Sequence, residues 1–540
     1  SYTTTAPGNM PVGTWAIVPA TGTLSTTPNY FFRFTNGVLT IKKSVLTVVA
    51  TNASVPFNQP IPNLAFTITG FVNNDTENTG VNGAAALSTT ATQGSSIGNY
   101  VITASLGTLS AANYNFSFVN GFLMITSDNP SAYSLVFQHV IVIVQENRTP
   151  DNLFQGLPGA DIATSGINSH GQTIPLAKVP LEVTYGLDHT HAAFMDMYDG
   201  GKMDGADKVQ AGCTVAKVPN CPPPNPQFAY VDPADIQPYL QLAGTYTFGD
   251  RMFQTNQGPS FPAHQFIIAG TSAPTATSDM FAAENPNGAA GCTAPSNSSV
   301  LLIDPTGKES QSTYPCFEHP TLMDLLDAQT ITWRYYAPSV SSIWTGPNAI
   351  DHIRTGADWS NIIVPQTRVL TDIAAGHLAQ MSWVVPTGQD SDHPGSAGGS
   401  GPSWVASIVN AIGNSPYWSN TAIIITWDDW GGWYDHVAPP MFNSYEYGFR
   451  VPLIIVSPYS KQAYVSHTTH DFGSILHFTE EVFNLPSLGY ADSRADDFSD
   501  CFDLTQTPIA FQTVSTALDQ KFFINSNRPA MPPDDDDDEK

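Results

Sequence analysis

Two apolar runs end in residues that could do chemistry. The run "HVIVIVQ" stops at Glu146-Asn147, and the run "TAIIITW" stops at Asp428-Asp429. If both are parallel, central strands, three carboxylates and an amide oxygen meet at one edge of a sheet. Like charges crowd unfavourably unless a cation neutralises them. Hard oxygen donors of this kind suit one divalent metal ion, whose identity the residues do not fix. Asp and Asn also favour helix N-caps and loops, so either pair alone reads as a cap. Two such pairs, each closing a long apolar strand, read as a metal site.

A third segment, "TNQGPSFPAHQF", holds Ser260 between Gly258-Pro259 and Phe261-Pro262. Such a turn can present a hydroxyl to a cleft at the start of a helix, although a Ser beside Gly and Pro is often only a turn. A cation beside Ser260 would lower its hydroxyl pKa and give an alkoxide nucleophile. Among thirteen histidines, His189 stands in "DHTHAAFMDMYDGGKMDG", His393 in "DSDHPG" and His436 in "WYDHV". Transfer of a phosphoryl group needs donors for its nonbridging oxygens and an acid for the leaving oxygen, and histidine serves as either. Lys202, after the Gly200-Gly201 turn, reads equally as a phosphate contact or a solvated side chain.

The elements that must position these residues are set by the apolar pattern. Runs such as "LVFQHVIVIVQ", "TAIIITW" and "VPLIIVSP" predict strands buried on both faces, and "SWVASIVNAI" and "FGSILHFTEEVF" predict amphipathic helices between them. The fold expected is α/β with a mainly parallel sheet flanked by helices, whose ligands collect beyond the carboxyl ends of the strands. This catalytic domain is expected over 137–530, after a linker at 128–136 and before an acidic, disordered tail at 531–540. Residues 1–127 differ sharply. They hold only five charged residues, Arg33, Lys42, Lys43, Asp75 and Glu77. Segments such as "LAFTITGFV" alternate with period two between Gly/Asn turns, which predicts antiparallel strands. "VGTWAIVPATGTLSTTPNYFFRFTNGVLTI" is repeated as "IGNYVITASLGTLSAANYNFSFVNGFLMI". A repeat of that length is a small β module, so a partial copy at 1–43 and a whole one at 44–127 are expected, the chain beginning inside the first.

The bulk composition sets outer limits. Of 540 residues, 41% are hydrophobic and only 12% charged, with a formal net charge of -27. That charge excludes nucleic acid as a partner and opposes electrostatic binding to anionic membranes. It also makes an anionic substrate awkward without a local cation. No apolar run is long enough for a transmembrane segment. Of five cysteines, Cys213 with Cys221 and Cys292 with Cys316 are expected to form disulfides, leaving Cys501 over.

With these segments in order, residues from about His139 to Leu485 resemble the bacterial phosphoesterase family of phospholipases C and related acid phosphatases. "HVIVIVQENRTPDNLF", "GGKMDG", "GPSFPAHQF", "TWDDWGGWYDHVAPP" and "GFRVPLIIVSPYS" carry the likeness. The resemblance implies an alkaline phosphatase-like fold, with Glu146, Asn147, Asp428, Asp429 and Ser260 as metal ligands. It also implies Ser260 as nucleophile, with His189 and His393 at the phosphoryl group and His436 as a further catalytic candidate. The N-terminal modules are similar to MBG-type β domains of bacterial surface proteins, which implies a secreted or cell-surface protein able to attach through them. A phosphate ester, phospholipid included, is the expected substrate, with a phosphomonoester as the alternative and an inactive surface adhesin as a third reading. Many phospholipase members carry Thr in place of Ser260, Asn-Arg in place of Ala263-His264 and Asp-Glu in place of Asp428-Asp429, which leaves the substrate open.

Overall fold

The computed structural model describes residues 1–4, 11–56, 59–95, 98–126, 131–215, 217–396, 398–526 and 528. The acidic tail expected at 531–540 lies outside the described residues, as do 128–130 of the expected linker. The chain divides into two compact units, Ser1–Asp128 and Asn129–Lys540.

In the first unit, Tyr2–Thr4, Gly13–Pro19 and Gly37–Ile41 form an antiparallel sheet. The whole repeat beyond it has two sheets, of three and four strands. The expectation of antiparallel pairing needs correction here. Ser44–Ala50 runs parallel to Tyr114–Val119, and Ala53–Pro56 parallel to Gly121–Thr126. Strands joined by a hairpin must be antiparallel, but these partners lie at opposite ends of the module, so no short turn dictates their direction.

The second unit is built on one eight-stranded sheet. Its strands are β1 (His139–Gln145), β2 (Thr247–Gly249), β3 (Trp333–Tyr336), β4 (Ile362–Ile363), β5 (Met381–Val384), β6 (Thr421–Trp427), β7 (Leu453–Val456) and β8 (Tyr464–Ser466), in the spatial order β4-β3-β5-β1-β6-β7-β2-β8. The sheet is mainly parallel; β7 opposes its neighbours β6 and β2. Its helices include α1 (Gln237–Thr245), α2 (Ser260–Ala269), α3 (Leu322–Ala328), α4 (Arg368–Ala375), α5 (Gly401–Gly413) and α6 (Phe472–Phe483). These six form two groups, with α5 packed on α1 and α4, and α2 packed on α3 and α6. Every residue of β6, and all but the first of β1, is buried, as continuous apolar strands covered on both faces must be. Both expected disulfides form, and Cys501 is free and buried.

The segment after β6 is anchored by Arg450. Its fully buried guanidinium donates to both carboxylate oxygens of Asp435 at 3.0 Å, to Asp151 Oδ1 at 3.3 Å, and to the carbonyls of Asp161 and Asp250. Removing one partner of a buried ion pair strands the other charge in low dielectric. Arg450→Met is therefore expected to cost about 3–5 kcal/mol. Denaturant unfolding checks this, and a loss below about 1 kcal/mol would reject the anchoring role.

Candidate active site

The register of β1 on β6 creates the site. The two strands pair in parallel from His139↔Thr421 to Gln145↔Trp427. The next residues along each, Glu146 and Asp428, must therefore emerge side by side. Asn147 then turns into the left-handed region at φ 60°, a conformation Asn tolerates better than most residues. Its N–H donates to Asp428 Oδ1 at 3.1 Å, and the Asp429 N–H donates to the same oxygen at 2.8 Å. Gly431 closes the turn at φ 62°, where a Cβ would meet the Asn147 carbonyl at 2.5 Å, so only glycine lets the two strand ends approach.

Ser260 arrives from another element, as the first residue of α2 behind an extended Pro259. It is buried, and its Oγ donates to Asp429 Oδ2 at 3.1 Å. Gly258 lets the preceding turn pass the strand at 281–282 and its continuation, since a Cβ there would meet the Ala283 carbonyl at 2.2 Å. One helical turn after Ser260, on the same face, comes His264. Its Nε2 lies 3.4 Å from Glu146 Oε1 and 3.8 Å from Asp428 Oδ2. Sequence reasoning missed this residue as a site member. The signal was present: the i, i+4 spacing puts any side chain at 264 where Ser260 points.

His189 lies 3.9 Å from Asp429 Oδ2, and its Nε2 is 3.1 Å from Asn147 Nδ2. Its Nδ1 faces the Leu187 carbonyl at 3.0 Å. A carbonyl only accepts, so Nδ1 carries the proton and Nε2 faces the site. His393 repeats the pattern, with Nδ1 2.9 Å from the Pro394 carbonyl and its ring centroid 6.3 Å from that of His189. Glu146, Asn147, Ser260, Asp428, Asp429, His189 and His393 thus gather with His264 around one strand edge.

The other two predicted residues are engaged in contacts of their own. His436 is held by Asp151, with Nδ1 2.8 Å from Oδ2, and by Asp161, with Nε2 3.1 Å from Oδ1. That network is completed by Arg450, whose own positive charge neutralises it. Lys202 is exposed and paired with Asp199 at 2.8 Å. Gly200 and Gly201 both take positive φ in the turn before it, and the ammonium is spent on a partly solvated carboxylate.

The charge balance at the strand edge favours a cation. One donor atom each from Glu146, His264 and Asp428 lie within 4.8 Å of one another. Two full negative charges that close repel by roughly 4 kcal/mol at an effective dielectric of 20. Burial, and then the neighbouring Asp428, push the Asp429 carboxyl well above the usual range. Burial also lowers His264 to about 4, so its imidazole is neutral and has a lone pair to give. Asn147 Oδ1, Asp428 Oδ2 and His264 Nε2 are buried without hydrogen-bond partners. A neutral imidazole and oxygen donors aimed inward without protons fit a divalent metal.

Comparison with known proteins gives the family. The profile of the Phosphoesterase family matches residues 137–486, and that of the MBG domain (YGX type) matches residues 46–124. The non-hemolytic phospholipase C of Pseudomonas aeruginosa is 24% identical over 68% of this chain, which spans 56% of that relative. The phospholipase C A of Mycobacterium tuberculosis is 24% identical over 69% of this chain and 78% of its own length. The non-specific phospholipase C6 of Arabidopsis thaliana is 22% identical over 68% and 72%. Among solved structures, a Vibrio parahaemolyticus protein of the alkaline phosphatase superfamily overlaps 68% of this chain and 72% of its own at 12% identity, with a TM-score of 0.33, too loose a match to carry an argument.

The placement of His436 has a pH signature. Burial lowers its pKa, but the Asp151 carboxylate outweighs this and the net shift is upward. A raised folded-state pKa stabilises fully below the unfolded value of about 6.5, and the contribution disappears as pH rises through the folded value. His436→Gln is thus expected to lower unfolding free energy by roughly 1 kcal/mol in mild acid and by less in alkali. Unfolding curves on either side of neutrality check this, and an equal loss at both would contradict it.

Proposed function

Because the chain belongs to the Phosphoesterase family, we propose that its larger unit hydrolyses phosphate esters in two displacements through Ser260. One observation carries the reading. Ser260 Oγ sits in the first turn of α2, 3.1 Å from Asp429 Oδ2, beside the paired strand-end carboxylates. A divalent cation held by Glu146, Asn147, Ser260, Asp428 and Asp429, with His264 beside them, would supply the positive charge that lowers the Ser260 pKa and offsets the phosphoryl oxygens.

Ser260 Oγ attacks phosphorus, so the Oγ–P bond forms as the bond to the leaving oxygen breaks. His393, as imidazolium, gives its Nε2 proton to that oxygen. His189, as imidazolium beside Asn147 and Asp429, faces the charge that develops. Water then attacks the phosphoserine, neutral His393 takes its proton, and the Oγ–P bond breaks to restore Ser260.

A diester with a cationic alcohol, as in phospholipase C chemistry, fits best because of Glu284. This half-buried carboxyl accepts the His191 N–H at 3.0 Å, while its Oε2 has no hydrogen-bond partner. Burial, and then Glu309, push its pKa well above the usual range, so a cationic group beside it would be rewarded with an ionised partner. Its neighbour Asn285 accepts the Phe261 N–H at 2.9 Å, which puts Glu284 next to the nucleophile's turn. The phosphomonoester reading rests on Ser standing at position 260 where many phospholipase relatives have Thr. Two disulfides support a secreted or cell-surface location, with the β modules as an attachment device.

Activity on p-nitrophenyl phosphorylcholine and p-nitrophenyl phosphate tests the proposal. Ser260→Ala and chelation are each expected to remove activity, the former by on the order of a thousandfold or more. Substantial turnover by Ser260→Ala rejects the nucleophile, and silence of the parent on both esters favours the adhesin reading. Glu284→Gln is expected to lower kcat/KM roughly tenfold for the choline diester and little for the monoester. Equal losses on both would remove the reason to prefer a cationic alcohol.

A further inference from the structure

We infer that His470, Asp500 and Cys501 form a structural zinc site at the edge of the sheet, apart from Ser260. One donor atom from each lies within 4.8 Å of the others. Cys501 Sγ is 3.4 Å from Asp500 Oδ1 and 3.9 Å from His470 Nε2, and that nitrogen is 3.6 Å from Asp500 Oδ1. Bond lengths of about 2.3 Å to sulfur and about 2.0 Å to nitrogen and oxygen give tetrahedral edges of roughly 3.3–3.6 Å. Two of the three separations match these edges and the 3.9 Å sulfur–nitrogen one exceeds them by a few tenths of an ångström, so a small closure gives one face of a zinc tetrahedron, with a water left to complete it.

The surroundings orient each ligand as a metal would require. His470 Nδ1 is 2.9 Å from Asp496 Oδ1, which fixes the ring and turns Nε2 toward the sulfur. Ser466 Oγ donates to Asp500 Oδ2 at 2.5 Å, leaving Oδ1 for the ion. The same hydroxyl lies 3.1 Å from His470 Nε2, a contact that the metal would replace. The Cys501 carbonyl accepts from Thr247 Oγ1 at 3.0 Å, and the Asp500 carbonyl accepts from Lys461 Nζ at 2.5 Å. His470 and Cys501 are buried, while the Asp500 side chain keeps 24% exposure, enough for a water to enter.

Other clusters of ligating residues differ in this respect. Asp151, Asp435 and His436 already enclose the Arg450 guanidinium, and Cys292 and Cys316 are spent on a disulfide. At the sheet edge, an imidazolium between Asp496 and Asp500 would explain the three charged groups, but it gives the sulfur only a weak S–H bond. Zinc uses all of them. It would join β8 and the strand His470–Asp471 to the 3-10 turn Ser499–Cys501. His470–Asp471 pairs with Met252–Phe253, and the Phe472 N–H donates to Thr255 Oγ1, so the clamp braces the turn that delivers Ser260.

Cobalt loading of the chelator-stripped full chain tests this without any substitution. Four of the five cysteines are in disulfides, so a thiolate-to-cobalt charge-transfer band reports Cys501. The band is expected in the parent and in Asp428→Asn, and its absence from the parent overturns the proposal. Cys501→Ser and His470→Gln are expected to lose the band, one zinc per chain and several degrees of Tm. Zinc content unchanged in both variants would equally overturn it. Because Asp428→Asn removes a donor of the candidate catalytic cation but not of this one, failure here and failure of the phosphoesterase reading are separable.

Discussion

The parallel register of β1 on β6 is the constraint on which the site depends. Seven consecutive residue pairs lock the strands, and both are apolar up to the same level. The residues just beyond each strand are therefore forced into the same small volume, and in both cases they are acidic. The fold accommodates that repulsion with backbone donors: the N–H groups of Asn147 and Asp429 both point at Asp428, and that of Gly431 points at Asp429 at 2.7 Å. These donors relieve only part of a repulsion between full charges in a buried setting. The inward-facing atoms without protons are where the remaining compensation belongs.

Acidic clusters recur through this strongly acidic chain, and the manner in which each is neutralised separates structural from chemical roles. Around Asp151 and Asp435 the protein spends a buried arginine, and the cluster is closed. At Asp372 it spends Arg334, whose guanidinium donates to the carboxylate. At the end of β6, among the described residues, no arginine or lysine forms an ion pair with Asp428 or Asp429. A histidine kept neutral by burial stands in that place. A protein that invests its few cations elsewhere leaves this edge able to accept an external one, and with it an anionic phosphoryl group that the overall charge would repel.

Ser260, the nucleophile we propose, comes from a helix start rather than a strand end, which makes its position depend on packing as well as on sheet register. α2 rests on α3 and α6, and Gly258 permits the close passage of the preceding turn. The helix then does two things at once. It presents Ser260 at its first residue, and one turn later it brings His264 to the carboxylates. Both are set by the phase of a single helix against the sheet edge.

Much of this was legible in the sequence because it is local. Continuous apolar runs specify strands buried on both faces, and the polar residues closing them specify what stands at the edge. The Gly-Pro-Ser turn marks a helix start, and paired cysteines in short loops mark disulfides. Tertiary structure decided the rest, because it depends on which distant elements become neighbours. Parallel pairing in the N-terminal module joins strands from its two ends, where no turn sets direction, and β7 reverses for want of a crossover. His436 looks catalytic beside "WYDHV" but is captured by Asp151, Asp161 and Arg450. Lys202 looks like a phosphate contact but its short glycine turn leaves it at the surface. His264 looks like a departure from a motif, yet the rotation of α2 turns it inward, because a helix fixes which residues share a face but only its packing decides what that face meets.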